Sequence, residues 1–314
     1  MKAFTYTNTK TTLPGWVDNL HVAQPQGYGY EHGNFFIHIY GQENGLWVQS
    51  SGLTASQQKS GSLDNWILNT FGAINIQESV NDVGDVVDYV WRPGIYYQEQ
   101  IYQALSTNES EQRAAEQALR LLIDYLDNLF IYIEPSPSGL QSYSHKTREL
   151  LILACTEVEN YWTQYMNRAG ATPSARYFNT KDYVKLCTPL FLQEYELNLR
   201  PYVNVGHIKP FKNWNSSAPT RSLGWYDAYN KTKHDKLKYF SEATLQNCIE
   251  AIMANIVMFC VRFSPYPLFG SITKLSGMMH QLFDLRLDNP NPSTFYVAKV
   301  NLPTSKYNPH LVCG

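Results

Sequence analysis

The stretch from Tyr229 to His234 reads Tyr-Asn-Lys-Thr-Lys-His and combines residue types suited to acid–base chemistry beside a phosphate. On a helix, Tyr226, Asn230 and His234 recur every four residues and share one face. Four lysines surround that face: Lys231, Lys233, Lys236 and Lys238. Ammonium groups near an imidazole favour its neutral form, which can accept a proton from a hydroxyl, while the lysines attract phosphate. The pattern predicts either RNA chemistry or, because short motifs are weak signals, a solvated basic helix face.

Charge is distributed unevenly along the 314 residues. The formal net charge of -2 argues against a protein that binds nucleic acid through overall basicity. Residues 200–238 contain eight basic and two acidic side chains, a local +6, whereas residues 78–134 contain eleven acidic and three basic ones, a local -8. The basic stretch, with its interleaved aromatic residues, could hold single-stranded RNA by phosphate pairing and base stacking. Alternatively, the acidic and basic stretches pair with each other, within one chain or between two.

Other catalytic and metal-binding patterns are weak. The five cysteines are widely spaced and lack a C-x-x-C pair, which predicts free thiols and argues against a disulfide framework or a structural zinc site: Cys155, Cys187, Cys248, Cys260 and Cys313. Glu31, His32 and His38 resemble metal ligands, but histidines in an aromatic-rich β region are more often structural. No G-x-S-x-G, phosphate-loop or H-E-x-x-H motif occurs. We therefore expect neither a metal nor another cofactor.

The elements that must position these residues change in type along the chain. Residues 1–92 contain short β-branched and aromatic runs between turn signals, which predict a β-rich region with strands at Phe35–Tyr40, Leu46–Val48 and Val86–Trp91. The N-terminal residues lack the apolar stretch of a signal peptide. The most apolar window, 249–263, is short for a membrane span and contains Glu250, Asn255 and Arg262. We expect a cytoplasmic protein that does not enter a membrane.

After residue 94 the apolar periodicity becomes helical. Helices are predicted at Leu119–Ile133, Ser144–Arg168, Thr180–Cys187 and Ser222–Phe240, followed by a last helix with Ser241 as its cap and an apolar stripe from Leu245 to Cys260. Residues 190–219 read as a long connection with an extended segment at 195–205, and residues 294–300 as a strand. The prediction is an α+β protein with a β-rich N-terminal domain (1–92), a helical domain (93–264) and an extended C-terminal segment (265–314).

Two segments carry a family resemblance. Ser144–Trp162 (SHKTRELLILACTEVENYW) and Gly224–Ile252 (GWYDAYNKTKHDKLKYFSEATLQNCIEAI) resemble the HEPN superfamily, and within it prokaryotic families with a W-x-x-x-Y-N-x-x-K-H-D signature at the start of the penultimate helix. The resemblance covers residues 143–264. It implies an antiparallel helical bundle that forms a homodimer. Many HEPN proteins are metal-independent endoribonucleases of toxin–antitoxin, CRISPR and phage-defence systems.

The family hallmark is an arginine, a polar residue, about three further residues and a histidine. His234 matches the histidine and Asn230 the polar residue, whereas Tyr229 stands where the arginine is expected. The resemblance implies that His234 acts as general base or acid and that Asn230 orients it. Lys231 or Lys233 would then stabilise the phosphorane formed when a 2′-hydroxyl attacks the adjacent phosphate.

The resemblance also suggests which residues contact RNA. The expected contacts are Tyr229, Tyr226, Lys236, Lys238 and Arg148. Arg148 and Glu149, with Glu157 and Glu159, either form a polar network that faces the motif or belong to an ordinary helix surface. Two functions stay open: an antiviral or toxin-type ribonuclease, and a catalytically inactive bundle that serves as a dimerisation, sensor or binding module, which the tyrosine at 229 favours. The N-terminal domain is a possible site for a protein partner.

Overall fold

A computed structural model describes residues 1–13, 18–42, 48–95, 98–299 and 308–310. The strands, in chain order, are β1 (Lys2–Thr7), β2 (Gln26–His32), β3 (Phe35–Gln42), β4 (Val48–Gln58), β5 (Ile74–Asp82), β6 (Asp85–Val87), β7 (Tyr195–Leu199), β8 (His207–Ile208), β9 (Phe283–Leu287) and β10 (Asn308–His310). The α-helices are α1 (Leu20–Ala23), α2 (Leu63–Phe71), α3 (Gln98–Ala104), α4 (Glu109–Phe130), α5 (His145–Arg168), α6 (Thr180–Tyr183), α7 (Gly224–His234), α8 (Lys236–Tyr239), α9 (Leu245–Phe263), α10 (Tyr266–Phe269) and α11 (Lys274–Leu282). The predicted α+β class is confirmed.

Contacts divide the chain into two compact units. The first, which we call the sheet unit, combines residues 1–107 with 289–310, and the second, the helical unit, spans residues 108–288. The predicted boundaries after 92 and after 264 both fall inside these units. The C-terminal segment is therefore shared between them, because residues 265–288 pack with the helices and residues 289–299 with the sheet.

The sheet unit is built on five antiparallel strands in the order β4-β3-β2-β1-β5. The run Phe35–Tyr40 forms β3 as predicted, and its alternate side chains enter two different cores. One core packs Phe36 and Tyr40 against α2, and the other packs Ile37 and Ile39 against Phe295 and Val297. The sheet is thus covered on both faces, which explains why β3 is apolar almost throughout.

Two strand predictions in this unit need correction. The run Val86–Trp91 is a strand only as far as Val87, because Tyr89 has a positive φ of 68° that interrupts an extended chain. The hydroxyl of Tyr296 accepts from the Val87 N–H at 3.1 Å and donates to the Val90 carbonyl at 2.6 Å. Residues 294–299 are no strand either: Thr294 ends a 3-10 turn, and the next residues cover the sheet as an irregular segment. Leu46, Trp47 and Val300 lie outside the described residues.

The helical unit packs α4, α5 and α7 around α9. The apolar stripe predicted for α4 is buried at Leu119, Leu122 and Leu126, and α9 is buried along most of its length. α9 is the one described helix with the length and apolar composition of a membrane span, and its central position in the bundle accounts for that composition. The HEPN-like identity of the bundle and the cytoplasmic location stay predictions.

The helix carrying the motif differs from the prediction at its C-terminal end. The single helix expected from Ser222 to Phe240 is divided at Asp235, whose backbone is non-helical (φ -139°, ψ 81°). The Asp235 side chain accepts the N–H of Lys238 at 3.1 Å and so begins a new short helix, α8. Asp is well suited to this position, and the break leaves the lysines of α8 on an exposed turn.

Other helix boundaries combine confirmed predictions and corrections. α5 begins where expected, with Ser144 and Thr147 forming a reciprocal capping box. α9 is capped by Thr244 and not by Ser241, which lies in a 3-10 turn. The extended segment expected at 195–205 is a strand only to Leu199 and turns into a 3-10 helix at 203–205.

The short helix expected at 180–187 is α6 followed by a 3-10 turn at 184–186. Residues 265–288 are not extended. They contain α10 and α11, and β9 joins β7 and β8 in a small antiparallel sheet of order β8-β7-β9.

Candidate nucleic-acid interface

A polar network, not an open active site, occupies the buried side of α7. Tyr226 and Tyr229 are 3% and 0% exposed, and both hydroxyls donate to the carboxylate of Glu159 on α5, Tyr229 at 3.2 Å. The ammonium of Lys233 donates to the Tyr229 hydroxyl at 2.7 Å. We call these four residues the Glu159 network. Rings buried this deeply offer no face to a nucleobase, which argues against the RNA contacts predicted for both tyrosines.

Burial also fixes the protonation of these groups. Desolvation, with the neighbouring Glu159 carboxylate, raises the pKa of Tyr226 far above its usual value. Desolvation raises the pKa of Tyr229 too, although its bond from Lys233 acts in the opposite direction. That same bond raises the pKa of Lys233. Both tyrosines therefore remain protonated donors, and the residue at the hallmark arginine position is a structural hydrogen-bonding group.

Lys231 is held by two carboxylates. Its ammonium lies 2.9 Å from Asp227, one helical turn earlier, and 3.0 Å from Glu242 in the turn before α9. These two bonds, Asp227 first, raise the pKa of Lys231. A lysine already paired with two carboxylates adds little net charge to a phosphate site. The charge of Lys231, which was predicted to stabilise a phosphorane, is therefore compensated within the fold.

The side chains of Arg148 and Asn230 donate hydrogen bonds to backbone carbonyls. The Nε and Nη2 of Arg148 donate to the Thr232 carbonyl at 3.2 and 3.0 Å, which satisfies the last turn of α7. The Asn230 amide donates to the Tyr226 carbonyl at 2.9 Å, inside its own helix. Arg148 thus joins α5 to α7, as the polar-network alternative expected. The orienting bond from Asn230 to His234 is not among the hydrogen bonds of the described residues.

The exposed part of the motif runs from Lys233, near the end of α7, into the turn that follows. His234, Lys236 and Lys238 are all exposed, and we call them the cationic turn. Among the residues that the structure describes, none of the three has an ion-pair partner within 4 Å, and His234 has no hydrogen bond. Leu237 is 98% exposed between the two lysines. The turn therefore presents two ammonium groups to solvent, with the Asp235 carboxylate and the Tyr239 hydroxyl beside Lys238.

Aromatic rings lie beside the cationic turn, and the sequence interpretation missed all of them except Tyr239. The ring of Tyr143, 49% exposed, meets Phe240 edge to face at a centroid distance of 5.5 Å. The exposed His145 ring lies 4.9 Å from Phe240, and the Lys236 ammonium lies 5.6 Å from the same ring. Lys238 lies 4.8 Å from the ring of Tyr239. No periodicity marks these rings, because they meet only when the turn after α8 folds against the start of α5.

The ion pairs of the basic stretch are formed locally. Arg200 binds Asp284 of β9 at 2.5 Å, and Lys209 binds Asp288. In the acidic stretch, Glu111 pairs with Arg262 of α9 at 2.8 Å. Within the helical unit as described, basic residues of 200–238 find their carboxylates in residues 227–288. The alternative that they pair with residues 78–134 therefore has no support there.

The histidines and cysteines fit structural roles. His38 is fully buried, stacked on Phe71 at 3.6 Å, and its Nδ1 lies 2.6 Å from the Tyr6 hydroxyl. Burial lowers the pKa of His38 well below its usual value. The four described cysteines are free and buried, as predicted, and Cys313 lies outside the described residues. In the described ranges, no three histidine, cysteine or acidic side chains gather into a possible metal site.

The geometry assigns different roles to the two sides of α7. The Glu159 network holds the bundle together, and the cationic turn with its neighbouring rings is the candidate interface. The resemblance to HEPN rests on residues 144–162 and 224–252 alone. Comparisons of the chain with models of protein families, with curated proteins and with solved structures find no significant match.

Proposed function

We propose that the helical unit is an RNA-binding module of HEPN-like type in which most of the catalytic motif has a structural use. Three residues that were expected to contact RNA or its phosphate are bonded within the fold instead. Tyr229 binds Glu159, Lys231 binds two carboxylates, and Arg148 binds a backbone carbonyl. This commitment favours the non-catalytic alternative. It leaves the cationic turn as the part of the motif that can reach a ligand.

The observation that carries the proposal is the exposure of the two lysines of that turn. Lys236 and Lys238 are exposed, and they share the turn with His234 and with one carboxylate, Asp235, which caps α8. Lysines in this setting pair with phosphates and release condensed counterions, which makes binding depend on salt. Phosphate contacts then contribute most of the affinity for RNA, and base contacts contribute less.

We propose a prokaryotic defence or toxin-type system, a homodimer formed through the helical bundle, and a protein-recognition role for the sheet unit. The first two follow from the resemblance, since HEPN-like proteins commonly have these properties. The third rests on the many tyrosines and tryptophans of the N-terminal region, which suit a recognition surface. Two of them can be tested separately from RNA binding. Sedimentation tests the dimer, and affinity capture on the immobilised full-length chain tests whether the sheet unit binds a protein.

The test of RNA binding is charge reversal. The double variant Lys236→Glu/Lys238→Glu should weaken binding of a fluorescent 20-nucleotide RNA by about tenfold or more, with a shallower dependence on salt, because two phosphate contacts are lost. The matched control is Lys181→Glu/Lys274→Glu, which reverses two exposed lysines of the same unit that are distant in sequence from the cationic turn. Equal anisotropy titrations for wild type and the Lys236/Lys238 variant would rule out this surface.

A second candidate function is metal-independent RNA cleavage, favoured by the exposed and uncommitted imidazole of His234. As base, His234 would remove the proton of a 2′-hydroxyl, whose oxygen then attacks the adjacent phosphorus. The 5′-oxygen would leave and take a proton from water, and the products would be a 2′,3′-cyclic phosphate and a 5′-hydroxyl, with the proton held by His234 returned to solvent. Lys233, bonded to Tyr229, is the nearest lysine in sequence for the developing charge.

Expression of wild type and His234→Ala in cells, followed by sequencing of RNA ends, separates the two functions. Cyclic-phosphate ends that depend on His234 would support the enzyme. Identical RNA ends and equal growth in both strains would leave binding as the function.

A further inference from the structure

We infer that the nucleic acid bound at the cationic turn is single-stranded and that one of its unpaired bases stacks on Tyr143. This inference rests on the proposed RNA binding and deepens it by naming the ligand class. It depends on a different set of residues from the charge argument, namely the rings of Tyr143, Phe240 and His145.

The first observation is the accessibility of Tyr143. About half of its side chain is exposed, whereas the tyrosines predicted to stack, Tyr226 and Tyr229, are buried. Phe240 meets Tyr143 with an interplanar angle of 85°, so the two rings support each other edge to face and do not stack face on face. A base can therefore approach Tyr143 without displacing a stacked neighbour.

The second observation is that the backbone beneath Tyr143 is fixed. Tyr143 forms an isolated antiparallel bridge with Thr244, and the Leu245 N–H donates to the Ser142 carbonyl at 2.9 Å. The next residue, Ser144, caps α5. Tyr143 is thus held between the start of α5 and the start of α9, and a ring that is already ordered loses little entropy on binding.

The third observation connects the ring to the charge. The Lys236 ammonium and the Tyr143 ring both neighbour Phe240, at 5.6 and 5.5 Å from its centroid. The ammonium and the Tyr143 ring are therefore no more than about 11 Å apart, and a single nucleotide can place its phosphate at the lysine and its base at the tyrosine. Aromatic rings interleaved with cations are the usual means of holding single strands, because every base has a π face.

A duplex cannot use this ring. Its bases are stacked on each other and its grooves present edges, so a duplex could engage only the lysines. The cationic turn alone would bind single and double strands through their phosphates. Tyr143 adds a contact that only an unpaired base can make, and the arrangement therefore predicts preference for single strands.

The test compares full-length variants on two probes, a fluorescent oligoadenylate of 20 nucleotides and an RNA duplex of the same length. We expect wild type to favour the single strand by roughly tenfold, the range of one stacked base. Tyr143→Ala should lose that preference and leave duplex binding unchanged, whereas Tyr143→Phe should keep it. Tyr177→Ala removes another exposed tyrosine of the helical unit as the matched control.

The outcomes separate the inference from the function beneath it. Equal affinity of wild type for both probes, or an unchanged single-strand affinity in Tyr143→Ala, would overturn the stacking inference while leaving RNA binding intact. The proposed function itself would be overturned if Lys236→Glu/Lys238→Glu bound both probes as tightly as wild type, or if wild type bound neither probe. Circular dichroism and thermal midpoints equal to wild type confirm that the variants fold.

Discussion

The Glu159 network and the cationic turn are adjacent in sequence and made of similar residues, yet they have opposite environments. In the network, two buried tyrosines donate to the half-buried carboxylate of Glu159, and the exposed Lys233 donates to one of the tyrosine hydroxyls. In the turn, Lys236 and Lys238 face solvent. The difference teaches that a motif of Tyr, Asn, Lys and His does not reveal which of its members is available to a ligand. Burial and internal partners decide that.

The largest effect on stability is expected at the hub of the network. Glu159→Leu removes the acceptor of two buried tyrosine hydroxyls, so the free energy of unfolding should fall by about 2–3 kcal/mol in urea titrations followed by circular dichroism. Glu149→Leu is the matched control on the same helix, because Glu149 makes only an exposed pair with Lys146. A loss below 0.5 kcal/mol in Glu159→Leu would mean that the network is not structural.

The sheet unit offers a second buried group for the same comparison, because His38 is enclosed while His234 is exposed. Desolvation lowers the pKa of His38 in the folded state, and the unfolded value is about 6.5. Below that pH the unfolded chain binds a proton that the folded chain excludes. The contribution to stability is therefore present above pH about 6.5 and is lost as the pH falls.

Below pH about 6.5 the slope should approach about 1.4 kcal/mol per pH unit. Urea titrations at several pH values measure it, with His38→Leu as reference, since other groups titrate equally in both proteins. A wild-type slope identical to that of His38→Leu would contradict the prediction.

Much of the scaffold follows from local pattern, and the functional surface does not. α5 is predictable because Ser144 caps it and an apolar stripe follows, and α4 shows the same stripe. The break at Asp235 is not predictable from periodicity, since no Gly or Pro marks it and the aspartate can either continue a helix or cap a new one. The choice of Thr244 over Ser241 as cap likewise depends on a tertiary bond, from the Leu245 N–H to Ser142.

For the candidate site, the sequence could predict the types of residue but not their burial or their arrangement in space. The sequence interpretation singled out α7 and the lysines of the turn, and it expected RNA contacts from Tyr226 and Tyr229, whose rings are buried. Tyr143 and Phe240 are 97 positions apart and meet through the packing of α5 against the turn before α9. Glu159, the hub of the network, looked like an ordinary surface residue because its two partners lie on another helix.

A smaller effect distinguishes a positioning role for Arg148 from the RNA contact predicted for it. Arg148→Met keeps the apolar stem and removes both bonds to the Thr232 carbonyl, so unfolding should become easier by about 1.5 kcal/mol. The salt dependence of RNA binding should stay within error of wild type. Lys146→Met, two residues earlier and exposed, is the control. A reduced salt slope in Arg148→Met would return this arginine to the interface.

The smallest stability effect is expected where the largest binding effect is expected. Lys236→Ala/Lys238→Ala removes two exposed side chains whose neighbours are solvent and the rings of Phe240 and Tyr239. The free energy of unfolding should therefore change by less than about 0.5 kcal/mol. RNA affinity should nevertheless fall, and the salt slope should decrease by about 2, one for each lost phosphate contact.

This variant reverses the pattern of Glu159→Leu, which should lose stability while its folded fraction still binds RNA with wild-type salt dependence. Measuring both properties for both variants, by urea titration and by anisotropy at four salt concentrations, gives a complete comparison. If Lys236→Ala/Lys238→Ala instead destabilises the fold by more than 1 kcal/mol, the turn is held by its lysines. Its exposed charge would then serve the fold and not a ligand.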